Sequence, residues 1–215
     1  ITLACESGGT LAARAAMLPL SRAMVTGMPL IVGGFIGLAP DISRLVLGAA
    51  IQDEAAGLIP WIALAIGVGC FRSYFLDIAF QLAKATRVQL GITTVMAGSN
   101  LALNLVLIPT FGVRGAVVST VAAYLLGTLM SWLLGRRLGV YPTSSGDLLG
   151  MVLALVAMAL GSALAPVASG HAVLDLFLRA AMGGVAFSVV AIAVDLGDAR
   201  SLLTQCLRVR RRSAI

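Results

Sequence analysis

Long stretches without Asp, Glu, Lys or Arg divide this sequence into segments of similar length. A helix that crosses a bilayer needs ~20 mostly apolar residues, because each residue adds ~1.5 Å along the axis. The charge-free stretches are residues 23–40, 55–71, 88–113, 115–135, 148–174 and 180–194. They predict six membrane-spanning helices, at about 18–39, 56–81, 88–109, 114–135, 148–168 and 173–194.

The composition excludes most soluble classes of protein. Hydrophobic residues make up 60% of the 215 residues and charged residues 11%, whereas soluble domains have ~25% charged residues. A soluble bundle would show a polar stripe on each helix, but the segment Met151–Ala165 is apolar nearly all round. Membrane β-strands would alternate apolar and polar residues. The predicted fold class is therefore an all-α integral membrane protein.

The basic residues predict the topology. Loops 82–87 and 136–147 carry Lys84, Arg87, Arg136 and Arg137, whereas the turn at 110–114 carries Arg114 alone. Basic loops stay on the cytoplasmic side, and an even number of spans returns the chain to the side where it began. We therefore expect a cytoplasmic lead-in at 1–17, a six-helix lobe at 18–194 and a basic cytoplasmic tail at 195–215.

The tail accounts for part of the net charge of +6. Leucines at 196, 202, 203 and 207 and Cys206 precede the basic run 208–212 with roughly helical spacing. This pattern favours an amphipathic helix on the inner leaflet, where each basic residue contributes ~1 kcal/mol of attraction to anionic lipid. Membrane lipids are the expected partner of the tail, and nucleic acid is the disfavoured alternative.

Motifs for enzymatic chemistry are missing from the sequence. Cys5, Cys70 and Cys206 have no metal-ligand or disulfide spacing, and His171 is the single histidine. There is no Gly-rich phosphate loop with a following Gly-Lys-Ser/Thr. We predict no enzymatic activity, no cofactor and no metal site. The first residue is not Met and no signal-peptide pattern follows it, so we expect the chain to begin inside a longer polypeptide.

Ionisable residues inside the predicted spans are the functional candidates, because charge at membrane depth is costly. Arg72 lies about 24 Å along the second span from Ala56, at ~1.5 Å per residue, with Tyr74 beside it. A permanently charged guanidinium suits a phosphate or pyrophosphate. Snorkelling to the headgroups and pairing with Asp77 are open alternatives. Arg22 resembles Arg72 but lies near the end of its span, where snorkelling is favoured.

Asn100 and Asn104 share one face of the third span, since they are four residues apart. An Asn between membrane helices typically donates an interhelical hydrogen bond of ~0.6–2 kcal/mol. A structural role is therefore favoured over substrate contact. Pro109 is expected to end this helix, Gly112 to permit the turn, and Gly115 to let the next helix pack closely.

The segment from Asn100 to Thr120 has the pattern N-x3-N-x3-I-P-x2-G-x2-G-A-x2-S-T. It resembles a signature of polysaccharide exporters, the lipid-linked oligosaccharide flippases of the multidrug/oligosaccharidyl-lipid/polysaccharide superfamily. The resemblance covers most of residues 15–140. The matching residues, Asn100, Asn104, Pro109, Gly112 and Gly115, are interpreted as structural.

The resemblance implies a MATE-like fold of two six-helix lobes around a central cavity in the bacterial inner membrane. This chain would be the C-terminal lobe, with both ends cytoplasmic and an N-terminal lobe as its partner. The implied function is flipping of an undecaprenyl-pyrophosphate-linked oligosaccharide for surface polysaccharide synthesis, with Arg72, Tyr74 and Arg22 as candidate cavity residues. The alternatives are a cation-coupled multidrug exporter of the same fold and a non-transporting membrane assembly subunit. Asp77 is the one acidic residue well inside a predicted span, which favours the flippase over the cation-coupled exporter.

Overall fold

The computed structural model describes residues 2–138, 145–165 and 172–200, which form helices and no strands. The helices are α1 (Thr2–Gly37), α2 (Ala39–Val46), α3 (Gln52–Phe71), α4 (Ile78–Leu82), α5 (Thr86–Phe111), α6 (Val113–Gly135), α7 (Ser145–Ala163) and α8 (Ala172–Ala193). A π-helical turn, Arg72–Leu76, joins α3 to α4, and short 3-10 turns occupy Arg136–Leu138 and Leu196–Asp198.

Five segments of the described residues are long and apolar enough to cross a membrane: Met17–Gly37, Gln52–Leu82, Thr86–Phe111, Val113–Gly135 and Ala172–Ala193. The prediction of an all-helical chain is thereby confirmed, and the five candidate spans agree with a multi-pass membrane protein. The sixth predicted span, 148–168, falls on α7, whose apolar part Asp147–Ala163 is shorter than these five. Residues 166–168 of that span lie outside the described residues.

Within the predicted lead-in, the stretch 1–14, which Glu6, Ser7 and two glycines favour as a loop leading into a helix, is instead helical from Thr2 onward. The reason is local propensity, because the stretch Leu11–Met17 consists mainly of Ala, Leu, Met and Arg, which are strong helix formers. Only Gly8 and Gly9 oppose the helix, at about 1 kcal/mol each relative to Ala.

The chain divides into two compact units. The first unit comprises Ile1–Leu20 and Ala39–Pro142, and the second comprises Ser21–Leu38 and Thr143–Ile215. The first unit therefore contains α2 to α6, while the second contains the last part of α1 together with α7 and α8.

In the first unit, α6 carries a stripe of small buried residues at every fourth position: Gly115, Ser119, Ala123, Gly127, Ser131 and Gly135. The stripe follows the ridge formed by residues four apart, the ridge along which helices pack most closely when side chains are small. A methyl group at Gly127 would lie 2.8 Å from the Met96 sulfur of α5, and one at Gly69 of α3 would lie 2.8 Å from the Tyr124 ring. Small residues thus allow α3, α5 and α6 to approach one another.

In the second unit, glycines occupy the crossings between α1, α7 and α8. A methyl group at Gly33 would lie 2.8 Å from the Leu155 carbonyl oxygen, and one at Gly161 would lie 2.7 Å from the Ala186 side chain. The core beside these crossings consists of Val25, Ala154, Met158, Phe187, Ala191 and Leu196. Close backbone approach, together with this apolar cluster, holds the three helices together.

The beginning of the predicted tail is folded onto the second unit. Leu196, expected on the membrane-facing side of a tail helix, lies in the core at 2% exposure. Arg200 donates from Nε to the Ile192 carbonyl at 2.9 Å and from Nη2 to the Ala193 carbonyl at 2.8 Å. Cationic donors at a helix C-terminus stabilise its last carbonyls, so Arg200 caps α8. The predicted amphipathic part, 201–215, lies outside the described residues.

Candidate functional site

A π-helical turn interrupts the candidate span Gln52–Leu82 at Arg72–Leu76. The Asp77 amide donates to the Arg72 carbonyl at 2.9 Å, which is a bond between residues five apart. In a regular α-helix, residues five apart differ by about 140° around the axis. The wider turn brings Arg72 and Asp77 to one side of the helix. Such π-bulges are frequent at functional sites.

Arg72 and Asp77 form a buried ion pair in this turn. The Arg72 Nη1 atom lies 2.7 Å from Asp77 Oδ2, and the two side chains are 9% and 3% exposed. A charge buried at membrane depth is stable only when it is paired and hydrogen-bonded. The ion pair therefore lowers the free-energy cost of burying the Arg72 charge, the cost that the sequence analysis identified.

The carboxylate of Asp77 joins three helical elements. Besides the Arg72 contact, the Ser131 hydroxyl on α6 donates to Asp77 Oδ1 at 2.8 Å. The Gln89 amide on α5 donates to Asp77 Oδ2 at a longer 3.4 Å. Gly127 lies beside the arginine, since a methyl group there would be in ordinary van der Waals contact with Arg72 Cδ at 3.5 Å. Both carboxylate oxygens thus have donors, and the site is a closed polar network within the first unit.

The structure places the three predicted cavity residues in different surroundings. Arg72 is buried in its ion pair, whereas Tyr74, two residues later, is 61% exposed. The open alternative of pairing with Asp77 is what the structure shows for Arg72, instead of snorkelling. In the second unit, Arg22 lies 2.9 Å from Asp198 Oδ2 and is half exposed. Arg22 thus also forms an ion pair, and snorkelling to the headgroups stays a prediction for it.

The polar residues of the sequence signature connect α5 to α6. Asn104 donates to Asn100 Oδ1 at 2.8 Å, Ser119 donates to Asn104 Oδ1, and Asn100 contacts the Thr120 hydroxyl at 3.4 Å. These bonds agree with the interhelical hydrogen bonding predicted for the two asparagines. The Ser and Thr of the signature are their partners across the helix pair.

The turn between α5 and α6 depends on glycine. Gly112 has φ 57° and ψ −136°, a conformation open essentially to glycine alone. A methyl group at Gly115 would overlap the Leu107 carbonyl oxygen and lie 2.6 Å from its carbon. The prediction that Pro109 ends the helix is wrong, because α5 continues to Phe111. A proline inside a helix removes one backbone hydrogen bond and can kink the helix without ending it. The helix ends at Phe111, before Gly112, where φ becomes positive.

We expect Asn104→Ala to reduce the free energy of unfolding by about 0.6–2 kcal/mol, the range for an interhelical hydrogen bond in membranes. Its removal deprives Asn100 and Ser119 of a partner. The matched control is Thr94→Val on the same helix, because the Thr94 hydroxyl donates to the Leu90 carbonyl of its own helix at 2.9 Å. Unfolding in mixed micelles with increasing SDS measures both variants, and equal losses would contradict the interhelical role.

Two residues of the central network, Ser131 and Gln89, were not singled out by sequence reasoning. A usable signal existed for Ser131, because it belongs to the four-residue repeat of small residues on α6. Among the described residues, no group of three or more His, Cys, Asp or Glu side chains is placed to hold a metal ion. No protein-family model, curated protein or solved structure matches the chain.

Proposed function

We propose that this chain is one lobe of a two-lobe transporter of the bacterial inner membrane. The transporter flips an undecaprenyl-pyrophosphate-linked oligosaccharide from the inner to the outer leaflet for surface polysaccharide synthesis, by alternating access. The resemblance of residues 100–120 to the polysaccharide-exporter signature supports the class of protein. The cytoplasmic placement of both ends is part of this proposal and rests on the distribution of basic residues.

The observation that carries the proposal is the Arg72–Asp77 pair inside a candidate membrane span. A buried pair is not needed for stability, since well-packed apolar residues of similar volume often replace one at no loss. An arginine buried within a candidate span therefore favours a functional role. A guanidinium binds phosphate oxygens with two parallel hydrogen bonds, which suits the pyrophosphate of the lipid carrier.

The network supports an exchange of partners at Arg72. In this structure, the guanidinium of Arg72 donates to the carboxylate of Asp77. When the pyrophosphate enters, Arg72 moves from the carboxylate to the phosphate oxygens. Ser131 and Gln89 continue to donate to Asp77 and limit the cost of its lost partner. The π-helical turn, with its widened backbone, is the place where the helix adjusts.

The cation-coupled exporter is less well supported. It needs a carboxylate that is available to a proton, Na⁺ or a cationic drug, and Asp77 is already neutralised by Arg72. A non-transporting assembly subunit has no need of a charge pair at this depth. Loss of polysaccharide export without loss of folded protein is expected for the flippase and for neither alternative.

The test is complementation of cells that lack the gene, scored for surface polysaccharide. We expect Arg72→Ala to reduce export to background, and Arg72→Lys to retain part of it, because an ammonium keeps the charge but not the paired donors. Arg87→Ala is the control, since Arg87 is an exposed arginine after the span Gln52–Leu82, whereas Arg72 is buried within that span. Full export by a stably inserted Arg72→Ala variant would overturn the role of Arg72.

A double variant separates transport from folding. Arg72→Met with Asp77→Leu removes both charges while keeping apolar volume, so the protein is expected to insert and fold. We expect it to export no polysaccharide, because the phosphate-binding group is gone. Export at the level of the unmodified protein by this variant would reject the proposed flippase mechanism.

A further inference from the structure

A second polar site lies in the first unit, between the first turns of α3 and α6. It is a cavity of about 390 Å³, within the ~300–1,000 Å³ range of small-molecule sites. Its charged lining comes from Asp53 and Glu54 on α3 and from Arg114 on α6, and Trp61 forms part of its wall. Apolar side chains, Leu58, Val117 and Val118, complete that wall.

The cavity lies at one end of two candidate membrane spans. The spans Gln52–Leu82 and Val113–Gly135 both begin beside it, and its charged residues, Asp53, Glu54 and Arg114, are exposed there. Trp61 is two turns further along α3 and 53% exposed. Tryptophan is enriched at the headgroup level of bilayers, because its ring is apolar and its N–H is polar. Trp61 therefore suits contact with the headgroup region of a bilayer beside the cavity.

The charges of this cavity are separated rather than paired. Within the part of the chain that the structure describes, no ion pair joins Arg114 to Asp53 or Glu54. The two carboxylates suit the N-terminal turn of α3 through the helix dipole. The same dipole opposes Arg114 in the first turn of α6. A cation at the positive end of a helix gains a favourable partner when an anion binds there.

The N-terminus of α6 also offers backbone donors. Gly112 precedes the helix and has no side chain to cap it, so the first amides of α6 lack a side-chain acceptor. Amides at a helix N-terminus together with a guanidinium form a recognised kind of phosphate site. The carboxylates of Asp53 and Glu54 line the same cavity and suit an ammonium group. One ligand that carries both groups satisfies both halves of the site.

We propose that this cavity binds a zwitterionic phospholipid with a primary amine, that is, a phosphatidylethanolamine. Arg114 and the α6 amides hold the phosphate, and Asp53 and Glu54 accept hydrogen bonds from the ammonium. The first acyl carbons lie against Trp61 and the apolar wall. The site is independent of the Arg72 network and of the flippase proposal.

Native mass spectrometry of the full 215-residue chain in detergent tests the site. We expect phosphatidylethanolamine to bind more tightly than phosphatidylcholine, which has no N–H donors, and more tightly than phosphatidylglycerol, which has no cation. Soluble O-phosphoethanolamine is expected to bind least, because it lacks the acyl chains. Equal binding of phosphatidylglycerol and phosphatidylethanolamine, or tight binding of the soluble headgroup, would overturn the proposal.

Two variants test the phosphate-binding and the ammonium-binding parts of the site separately. Arg114→Gln is expected to weaken phosphatidylethanolamine binding about tenfold, the effect of losing one charge-assisted hydrogen bond. Asp53→Asn with Glu54→Gln is expected to weaken phosphatidylethanolamine binding and to strengthen phosphatidylglycerol binding, since the repulsion of the anionic lipid is removed. Arg136→Gln is the control, because Arg136 lies at the other end of α6 over the Trp132 ring. Unchanged lipid preference in both site variants would contradict the assignment.

Fluorescence gives a readout that does not depend on the charge variants. The chain has two tryptophans, so Trp132→Phe leaves Trp61 as the reporter. We expect saturable quenching of Trp61 by phosphatidylethanolamine brominated near the start of its acyl chains, and weaker quenching by the matched phosphatidylglycerol. Equal quenching by both lipids would show contact with bulk lipid only and would overturn the proposal.

Discussion

Asp77→Leu is expected to destabilise the protein by about 3–5 kcal/mol, the cost of leaving a buried charge without its partner. Arg72 is 7% exposed, so water reaches its guanidinium poorly once the carboxylate is gone. The hydrogen bond from Ser131 to Asp77 is lost in the same substitution. Reversible unfolding of the purified protein in mixed micelles, followed as SDS increases, measures the change.

The double variant Arg72→Met with Asp77→Leu is expected to recover most of that loss. Two apolar side chains of similar volume leave no buried charge, and such replacements are often neutral or stabilising. Arg22→Gln is the matched control, because it removes an arginine from a half-exposed ion pair, where pairs contribute about 0–1 kcal/mol. The buried pair has no special energetic role if Asp77→Leu costs no more than Arg22→Gln.

The second large effect is expected at the turn between α5 and α6. Gly115→Ala places a methyl group into the Leu107 carbonyl, which is backbone and has no rotamer to change. The helices must separate locally, and overpacking of this kind costs about 1–3 kcal/mol. We expect lower unfolding free energy and reduced yield of inserted protein, measured in the same micelle assay and by membrane fractionation.

Gly98→Ala on α5 is the matched control for Gly115→Ala. A methyl group at Gly98 would meet nothing within 4 Å, and alanine is the better helix former by about 1 kcal/mol. We therefore expect Gly98→Ala to be neutral or slightly stabilising. Equal behaviour of the two variants would show that the close approach at Gly115 does not hold α5 and α6 in place.

The spans could be predicted from the sequence because the bilayer imposes a simple length requirement. The predicted span 114–135 differs from the observed Val113–Gly135 by one residue at its start. The second span was predicted at 56–81, and its helical stretch begins earlier, at Gln52. Helix ends are set by local backbone conformation, which charge-free stretches do not report. The same reason explains the error at Pro109.

The candidate site was predictable in part. The sequence indicated that the charge of Arg72 is costly inside a span and offered pairing with Asp77 as one alternative. It did not indicate the π-helical turn, since nothing in residues 72–76 differs from ordinary helix formers and aromatics. Ser131 is 54 residues away from Asp77 in the chain. Only the packing of α6 against α3 brings its hydroxyl to the carboxylate.

The sequence by itself determined the membrane character, most of the spans and the residues whose charge would be costly there. These properties follow from transfer of each segment between water and lipid, which depends on local composition. The tertiary structure decided which polar groups lie together: Arg72 with Asp77, Asn104 with Ser119, and Arg114 with Asp53 and Glu54 around one cavity. These arrangements depend on the rotation of each helix about its axis and on the close approach that small residues such as Gly115 and Gly127 permit. The spacing of residues along the sequence does not specify either one.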